Sequence, residues 1–266
     1  MVSKVEAFYD DFSRGFVEDI VQDNERVAQQ LDFFARAIPP NVKSVLVIGC
    51  GSGQGAHFIA TSIAKNARVL AVDISGENLR LAHTLFPNER IEYRQVDVTS
   101  DSLEGVWDVI VLPDVYEHIP KDARQHLHAK FSGLLSRKAR ILFTVPSPGK
   151  QASLYATGKG LQVIDEVVTL EDLSNAAADV GAVLTYFNMI SVWETDDYIH
   201  AVVERDADQV KPIRAADMLP IKGWPRQSLV VRGWNSMGHR LHVFRFLQSR
   251  KRRRIQKRLA DQTSRD

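Results

Sequence analysis

An apolar strand that runs directly into spaced glycines is the feature that most constrains this chain. Residues 45–48 read Val-Leu-Val-Ile, and Gly49, Gly51 and Gly53 follow at every second position. A short apolar run bounded by turn residues is typical of a parallel strand that is buried on both faces. Glycine is favoured where the backbone takes a positive φ or where a ligand lies against the main chain. The segment therefore predicts a strand, a tight turn and a ligand site.

A second strand that ends in an acidic residue supports this interpretation. Helix-compatible sequence at residues 54–65 precedes an apolar strand at residues 68–72, which ends at Asp73. In a βαβ unit, such a carboxylate can accept hydrogen bonds from both hydroxyls of an adenosine ribose. The dinucleotide fingerprint places its third glycine one position later, where this chain has Gln54, so the match to a pyrophosphate-binding turn is imperfect.

Strands and helices alternate along the middle of the chain, and this predicts a parallel sheet with helices on both faces. Two further strands follow close together near the end of this region, which predicts an antiparallel pair. The predicted strands are residues 44–48, 68–72, 91–96, 107–112, 139–145, 183–191 and 197–204, and the predicted helices between them are residues 54–65, 76–85, 121–135 and 170–181.

Two further motifs complete a set that resembles a known family. Asp97 follows the third strand, and residues 107–120 run from an apolar strand to the sequence Glu-His-Ile-Pro. Together with the glycine turn and Asp73, they make residues 45–204 resemble the class I S-adenosylmethionine-dependent methyltransferases. The Glu-His-Ile-Pro sequence is similar to a segment of ubiquinone-type and other small-molecule O-methyltransferases.

This resemblance implies a Rossmann-like α/β fold with a seven-stranded, mostly parallel sheet, helices on both faces and an antiparallel last strand. It also implies S-adenosylmethionine as the cofactor, bound beyond the carboxyl ends of the strands. The residues expected to contact it lie in the glycine turn and at the ends of the next three strands: Gly49, Cys50, Gly51, Ser52, Gly53, Asp73, Ile74, Asp97, Val98 and Leu112.

Each part of the cofactor has its own expected contacts. The glycine turn would lie against the methionine half, and Asp73 would bind the ribose. Ile74 would pack on the adenine face, and Asp97 with the backbone of Val98 would meet the adenine edge. Leu112 would approach the sulfonium through its carbonyl. The alternative for Asp73 and Asp97 is that each carboxylate caps the N-terminus of a helix.

Five residues are candidates for the acceptor side of the reaction. His118 is able to take a proton from a hydroxyl near neutral pH, and Asp114 and Glu117 are candidates to orient it or to bind a polar acceptor. Tyr9 and Arg26 lie on predicted N-terminal helices, where Arg26 would bind an acidic acceptor or the methionine carboxylate. The alternatives are a structural role for His118, helix capping for Asp114 and a solvated helix face for Arg26.

Several classes of protein are excluded by what the sequence lacks. The single Cys50 excludes an intramolecular disulfide framework, and no Cys/His/carboxylate spacing indicates a metal site. His83, His126 and His128 lie on helical stretches and are expected at the surface. No window approaches the roughly 18 apolar residues of a membrane span, and the N-terminus lacks the apolar region of a signal peptide. We expect a cytoplasmic protein, with any membrane contact peripheral and at the inner surface.

The chain is expected to divide into three parts: an N-terminal helical cap at residues 1–40, a cofactor-binding methyltransferase domain at residues 41–204 and a basic C-terminal extension at residues 205–266. The clear boundary in composition lies near residue 206. The formal net charge of +1 conceals an asymmetry. From residue 206 onward, 15 Lys and Arg stand against five Asp and Glu. The extension is therefore strongly basic, although the rest of the chain is acidic.

The C-terminal extension carries a helix-compatible run at about residues 235–260. Its first half has an apolar stripe, and residues 250–258 form a basic block. The stripe could dock on the domain or on a second subunit, or the run could lie on an anionic membrane surface or on nucleic acid. The apolar stripe consists of Met237, Leu241, Phe244 and Leu247.

These features together predict a methyltransferase that modifies an oxygen of a small metabolite or of a glycan or lipid-linked acceptor. The basic extension leaves open an RNA methyltransferase or an RNA-binding protein. A nicotinamide-dependent oxidoreductase shares the βαβ plan, but the third glycine of its fingerprint is absent, and no hydride-transfer constellation is found.

Overall fold

The computed structural model describes residues 4–206 and 243–263, and in that part of the chain seven strands form one sheet. The strand order is β3-β2-β1-β4-β5-β7-β6, and β7 runs antiparallel to both of its neighbours, whereas strands β1 to β5 are mutually parallel. The predicted fold class is confirmed. The strands are β1 Ser44–Ile48, β2 Arg68–Asp73, β3 Ile91–Gln95, β4 Trp107–Pro113, β5 Leu135–Pro146, β6 Val183–Ile190 and β7 Tyr198–Asp206.

Eight α-helices surround this sheet in the described ranges, and none of them is long and apolar enough to cross a membrane. A π-helical turn, Ile59–Ile63, continues the third helix, and a 3₁₀ turn, Tyr116–His118, follows β4. The helices are α1 Lys4–Gln22, α2 Glu25–Ala37, α3 Gln54–Phe58, α4 Gly76–Leu85, α5 Lys121–Leu134, α6 Pro148–Thr157, α7 Leu170–Asp179 and α8 Val243–Thr263.

The central strand β1 is buried on both faces, which explains its continuous apolar sequence. Val45 and Val47 pack into a cluster that includes side chains of α2 and α3. Leu46 and Ile48, which point to the opposite face, pack into a second cluster with side chains of α5 and α7. The alternation of a strand thus places one apolar layer on each side of the sheet.

Strand β5 begins earlier than the predicted start at residue 139. The structure starts it at Leu135, which pairs with Trp107 of β4, directly after α5 ends. Its antiparallel pairing with β7 extends outward as far as Lys138 and Asp206. This extension is rich in polar side chains, so the hydrophobic pattern of the sequence did not predict it. Pairing with a neighbouring strand, and not burial, keeps these residues in the sheet.

Helix α6 was not predicted, because the prolines that follow β5 were interpreted only as the end of a strand. Ser147 caps this helix by accepting a hydrogen bond from the Lys150 amide at 3.2 Å, and Pro148 occupies the first turn. Gly158 ends it with a φ of +63°. A serine followed by a proline is a common start of a helix, and a glycine is a common end. The sequence therefore contained the signals for this helix.

Helix α8 docks on the body through a residue inside the basic block. Ile255 is buried in a cluster with Ile20 and Val21 of α1 and Leu85 of α4. Docking on the domain was one of the alternatives left open by the sequence, but the apolar stripe was expected to carry it. Met237 and Leu241 of that stripe lie outside the described residues, as do the side chains of Phe244 and Leu247.

Candidate active site

A cavity of about 540 Å³ lies at the carboxyl ends of the parallel strands. The chain leaves β1 toward β2 and β3 on one side and returns to β4 and β5 on the other, so the strand order reverses between β1 and β4. Ligands of open α/β sheets bind at such a reversal. We call the part beyond β1, β2 and β3 the cofactor half, and the part beyond β4, β5 and the start of β7 the acceptor half.

The glycine turn forms the floor of the cofactor half. Gly49 and Gly51 have φ angles of +68° and +52°, in the left-handed region that favours glycine. A Cβ atom on Gly49 would lie 2.1 Å from Val115, and one on Gly51 would lie 3.0 Å from the ring of Phe16. The turn is therefore wedged between α1 and the segment after β4. Cys50 and Ser52 lie between the glycines and line the cavity, and burial raises the pKa of the Cys50 thiol.

We expect Gly49→Ala to lower the free energy of unfolding by about 2 kcal/mol, because alanine is strained at a positive φ and its Cβ would overlap Val115. Gly133, in the middle of α5, is the matched control, since a Cβ there meets nothing within 4 Å. Gly133→Ala should leave stability unchanged or raise it. Urea unfolding of both variants measures this, and equal stability of the two would contradict the wedged turn.

Asp73 closes β2 and is buried at the edge of the cofactor half. Its Oδ2 accepts a hydrogen bond from the Gly51 amide at 2.8 Å, and its Oδ1 accepts from the Ser75 amide and from the Asn78 side chain. Burial raises the pKa of this carboxyl, and the three donors oppose that shift. A carboxylate has about four acceptor positions, so one remains for a ribose hydroxyl, where the sequence led us to expect two. Ser75, and not Asp73, caps α4.

The remaining residues of the cofactor half lie along the ends of β2 and β3. Ile74 and Val98 line the cavity with apolar atoms, and Asp97 lines it with a half-buried carboxylate. Oδ1 of Asp97 accepts hydrogen bonds from the amide and hydroxyl of Thr99 at 2.9 and 2.6 Å. This carboxylate therefore stabilises a turn and does not cap a helix. The binding roles of these residues stay predictions.

Two predicted cofactor residues do not line the cavity. Gly53 has a φ of +83° at the start of α3, and a Cβ there would lie 2.8 Å from both Ala82 and the Tyr93 hydroxyl. It is a packing position against α4 and β3. The side chain of Leu112 is fully buried in the core, and Pro113 lines the cavity at the end of the same strand.

Helix α1 closes the cavity from above and is attached to its rim by side chains. Asp10 accepts a hydrogen bond from the Ser75 hydroxyl at 2.5 Å, and Glu6 accepts one from Gln95 at 2.9 Å. Tyr9 points into the cavity and donates its hydroxyl hydrogen to Gln162 at 2.6 Å. Burial raises the pKa of Tyr9, so its phenol stays protonated and serves as a wall and a hydrogen-bonding group.

Arg26 and Asp114 form an ion pair in the acceptor half. Asp114 has a φ of +54°, and its carboxylate also accepts hydrogen bonds from Gln30 and Thr144, each at 3.3 Å. The partners of Asp114 are thus Arg26, Gln30 and Thr144, and it caps no helix. Both residues line the cavity as predicted, but each partly satisfies the charge of the other.

His118 lies in the wall of the acceptor half with its ring orientation fixed. Its Nδ1 is 2.7 Å from the carbonyl oxygen of Ile164, and because a carbonyl only accepts, Nδ1 must carry the hydrogen. A neutral ring then has an acceptor lone pair at Nε2. Burial lowers the pKa of His118, which favours this neutral form near pH 7. The Asp165 carboxylate lies 3.5 Å from Nδ1. Asp165, and not Asp114 as predicted, is therefore the aspartate beside the ring.

Glu117 is the buried carboxyl of the acceptor half that lacks a full set of partners. It is 2% exposed, it lines the cavity, and no hydrogen-bond partner within the described residues reaches its Oε2. Desolvation raises the pKa of Glu117 to about 8. Its Oε1 lies 3.7 Å from Nε2 of His118, too far for a hydrogen bond. Two acceptor atoms therefore stand side by side.

The 3₁₀ turn that carries Glu117 and His118 is held from below by Tyr116. The hydroxyl of Tyr116 is 2.8 Å from Nε2 of His128, whose Nδ1 is 2.7 Å from Asp179 of α7. The Arg124 guanidinium stacks on the Tyr116 ring at 4.4 Å and donates to the carbonyls of Tyr116 and Ile119. The prediction of a surface position for His128 is therefore wrong, because these partners satisfy the ring inside the core. His83 and His126 are exposed as predicted.

Sequence reasoning missed two residues of the acceptor half. Tyr198 is the first residue of β7, and because β7 is antiparallel, its start lies at the carboxyl edge of the other strands. The predicted antiparallel last strand was the signal that could have placed it there. Burial raises the pKa of Tyr198 to about 12. Asp165 comes from the segment between α6 and α7, which carries no local pattern.

Residues 45–138 match the family described as "Methyltransferase domain". The chain carries a methyltransferase domain. A curated relative, the ubiquinone biosynthesis O-methyltransferase of Pectobacterium atrosepticum, is 34% identical over 83 residues. That match covers 29% of this chain and 33% of the relative, so the chain matches about a third of the relative's length.

Solved structures share the fold of this methyltransferase domain. An S-adenosylmethionine-dependent methyltransferase from Mesorhizobium loti superposes with a TM-score of 0.54 at 15% identity, covering 64% of this chain and 94% of that protein. The complex of DhpI with SAH gives a TM-score of 0.59 at 14% identity, covering 77% and 96%. The fold is that of the class I methyltransferases, and together with the family it indicates S-adenosylmethionine as the cofactor.

The cofactor half of the methyltransferase domain fits such a ligand. The volume of the whole cavity lies in the usual range for small-molecule sites, and Asp73 retains an acceptor position that a ribose hydroxyl can fill. At Gly49 and Gly51 the wedged turn presents only backbone to the cavity floor, between the small side chains of Cys50 and Ser52. Within residues 4–206 and 243–263, no group of three His, Cys, Asp or Glu side chains is placed to hold a metal ion.

Proposed function

We propose that this protein transfers a methyl group from S-adenosylmethionine to a hydroxyl oxygen of a neutral small metabolite or of a neutral part of a glycan. The observation that carries the proposal is the fixed ring of His118, whose Nδ1 hydrogen is held by the Ile164 carbonyl. Nε2 is then a proton acceptor at the wall of the acceptor half. An oxygen acceptor must lose a proton, and this atom is placed to take it.

The charge of the acceptor half supports a neutral acceptor. Asp165, Asp114 and Glu117 contribute carboxyl groups, and the one guanidinium among the lining residues, that of Arg26, is already paired with Asp114. An acceptor with a carboxylate or phosphate inside this half would lie beside the Asp165 carboxylate, and the described lining residues offer no unpaired cation to neutralise it. Tyr9 and Tyr198 add hydroxyl groups that suit a polar, uncharged ligand.

The two acceptor atoms at Glu117 and His118 indicate how such a molecule would be oriented. A hydroxyl that donates to Nε2 of His118 leaves Oε1 of Glu117, 3.7 Å away, for a second donor on the acceptor. That second hydrogen bond would satisfy a carboxyl that lacks partners in this structure, and it would hold the reacting oxygen in place. Glu117 therefore joins Tyr9 among the proposed acceptor contacts.

The chemistry needs little more from the protein than position and one proton acceptor. Bound S-adenosylmethionine supplies an electrophilic methyl group on its sulfonium, and the sulfur is left as a neutral thioether. The acceptor hydroxyl gives its proton to Nε2 of His118, and the imidazolium that forms is stabilised by the Asp165 carboxylate, 3.5 Å from Nδ1. The walls formed by α1 and the segment before α7 exclude water.

Incubation with methyl-labelled S-adenosylmethionine tests this proposal. The full chain is offered separate fractions of neutral hydroxylated metabolites, neutral glycans, carboxylated metabolites and RNA. We expect the label in a neutral fraction, as a methyl ether that survives mild alkali, because an ester would be cleaved. Label recovered in RNA, or as an alkali-labile ester of an acid, would contradict the proposed acceptor, and Asp73→Ala serves as the control for cofactor-dependent labelling.

A further inference from the structure

The docked position of α8 fixes which of its side chains face outward. Ile255 and Leu259 pack toward α1 and α4, and on the same side Lys251 contacts Asp23 at 2.5 Å and Arg252 contacts Glu18. Arg258, also on this side, donates to the carbonyl of Leu85 at 3.2 Å. Residues spaced three or four apart lie on one face of a helix, so these contacts define an inner face.

The opposite face of α8 is a row of basic residues. Arg250, Arg253, Arg254 and Lys257 are all exposed and follow the same spacing of three and four. Within the described ranges, no ion pair reaches Arg253, Arg254 or Lys257, in contrast to the inner-face Lys251. Asp261, an exposed residue one turn further on, is the next acidic residue along α8. The row is about 10 Å long, given a rise of about 1.5 Å per residue.

We propose that this outer face binds the phosphate groups of an anionic phospholipid bilayer. The face carries positive charge without aromatic side chains, which proteins use to stack nucleic-acid bases. Its inner side is fixed to α1 and α4, so the outer row is the side that a ligand can reach, and a flat anionic surface can meet the whole row at once. A bilayer with anionic headgroups supplies such a surface.

This contact would place the bilayer beside the helix that closes the active site. Glu18 of α1 and Asp23, which directly follows α1, pair with basic residues of α8, and α1 also carries Tyr9 and Phe16, which line the cavity. The bilayer contact does not depend on the proposed methyl transfer, because no residue of the outer face lines the cavity. The failure of one proposal therefore leaves the other intact.

Sedimentation with vesicles tests the lipid contact. The full chain is mixed with vesicles of an equimolar mixture of phosphatidylcholine and phosphatidylglycerol at low salt, and with vesicles of phosphatidylcholine alone. We expect binding to the anionic vesicles only, with release as the ionic strength rises, because screening weakens exposed charges. The double variant Arg253→Gln/Lys257→Gln should bind on the order of 30-fold more weakly.

Lys65→Gln/Lys121→Gln removes the same charge from other exposed positions and is the matched control. It should bind vesicles as the unmodified protein does. Equal vesicle binding by the two double variants would overturn the proposal, as would sedimentation with neutral vesicles. Tight binding of a duplex RNA without binding of anionic vesicles would also overturn it, because it would assign the basic face to nucleic acid. Circular dichroism of the outer-face variant should show an unchanged helix content.

Discussion

Replacing His118 by alanine is expected to lower the turnover number by about 10²–10⁴-fold while leaving cofactor affinity nearly unchanged. The reason is the position of Nε2, a neutral proton acceptor at the wall of the acceptor half, with the opposite ring nitrogen held by the Ile164 carbonyl. Steady-state rates of methyl transfer to the acceptor measure the turnover number. Calorimetric titration with S-adenosylhomocysteine measures the cofactor affinity.

The pH dependence separates a proton acceptor from a structural histidine. Because burial lowers the pKa of His118, protonation should remove activity only below about pH 6.5. The His118→Ala variant should lose this acidic limb, and its remaining rate should not fall with pH in that range. Near-normal turnover in the variant, or an unchanged acidic limb, would return His118 to a structural role.

Glu117→Gln is the companion variant, because it keeps the shape of the side chain and the base at His118. The variant should raise the KM for the acceptor while keeping the acidic limb of His118. Desolvation raises the pKa of Glu117 to about 8, so ionisation of this group near pH 8 should change acceptor binding in the unmodified protein. That dependence should vanish in the variant. An identical KM and an identical alkaline limb would remove Glu117 from the acceptor contacts.

Replacing Asp73 by alanine is expected to weaken binding of S-adenosylhomocysteine on the order of 100-fold. The carboxylate receives the Gly51 amide of the glycine turn and the Ser75 amide and Asn78 side chain at the start of α4. Its loss removes the ribose contact and also leaves these buried donors unsatisfied. Titration calorimetry gives the affinity, and thermal unfolding reports how much stability is lost with it.

A ligand variant isolates the ribose contact from the damage to the turn. An analogue of S-adenosylhomocysteine that lacks one ribose hydroxyl should bind the unmodified protein more weakly, but it should bind Asp73→Ala about as well as the parent ligand does. The free-energy cost of removing the hydroxyl is obtained in each protein from the ratio of the two ligand affinities. The difference between the costs in the two proteins is the energy of that contact. If deoxygenation at either ribose position costs the same affinity in both proteins, Asp73 does not bind the ribose.

The glycine turn and the strand ends were predictable from the sequence because their causes are local. A fully buried strand needs apolar residues throughout, and the positive φ angles at Gly49 and Gly51 exclude most other residues. The antiparallel pairing of β6 with β7 was predicted from the spacing of the last two strands. Signals of this kind are carried by neighbouring residues, and most of the site residues that they predicted line the cavity.

The partners of each site residue were not predictable, because they come from distant parts of the chain. The ion pair of Arg26 with Asp114 joins α2 to the segment after β4, and Asp165 reaches His118 from the segment before α7. The burial of His128 depends on Tyr116 and on α7. Topology brings these residues together, and a residue type alone does not reveal which neighbour will satisfy it.

Titration calorimetry of the full chain with two ligands tests the central claim most directly. S-adenosylhomocysteine should bind with a dissociation constant of about 1–100 μM, and NADH should show no heat of binding under the same conditions. The glycine turn, the single remaining acceptor position of Asp73 and the family match all lead to this result. Tight binding of NADH, with no binding of S-adenosylhomocysteine by the folded protein, would contradict the account.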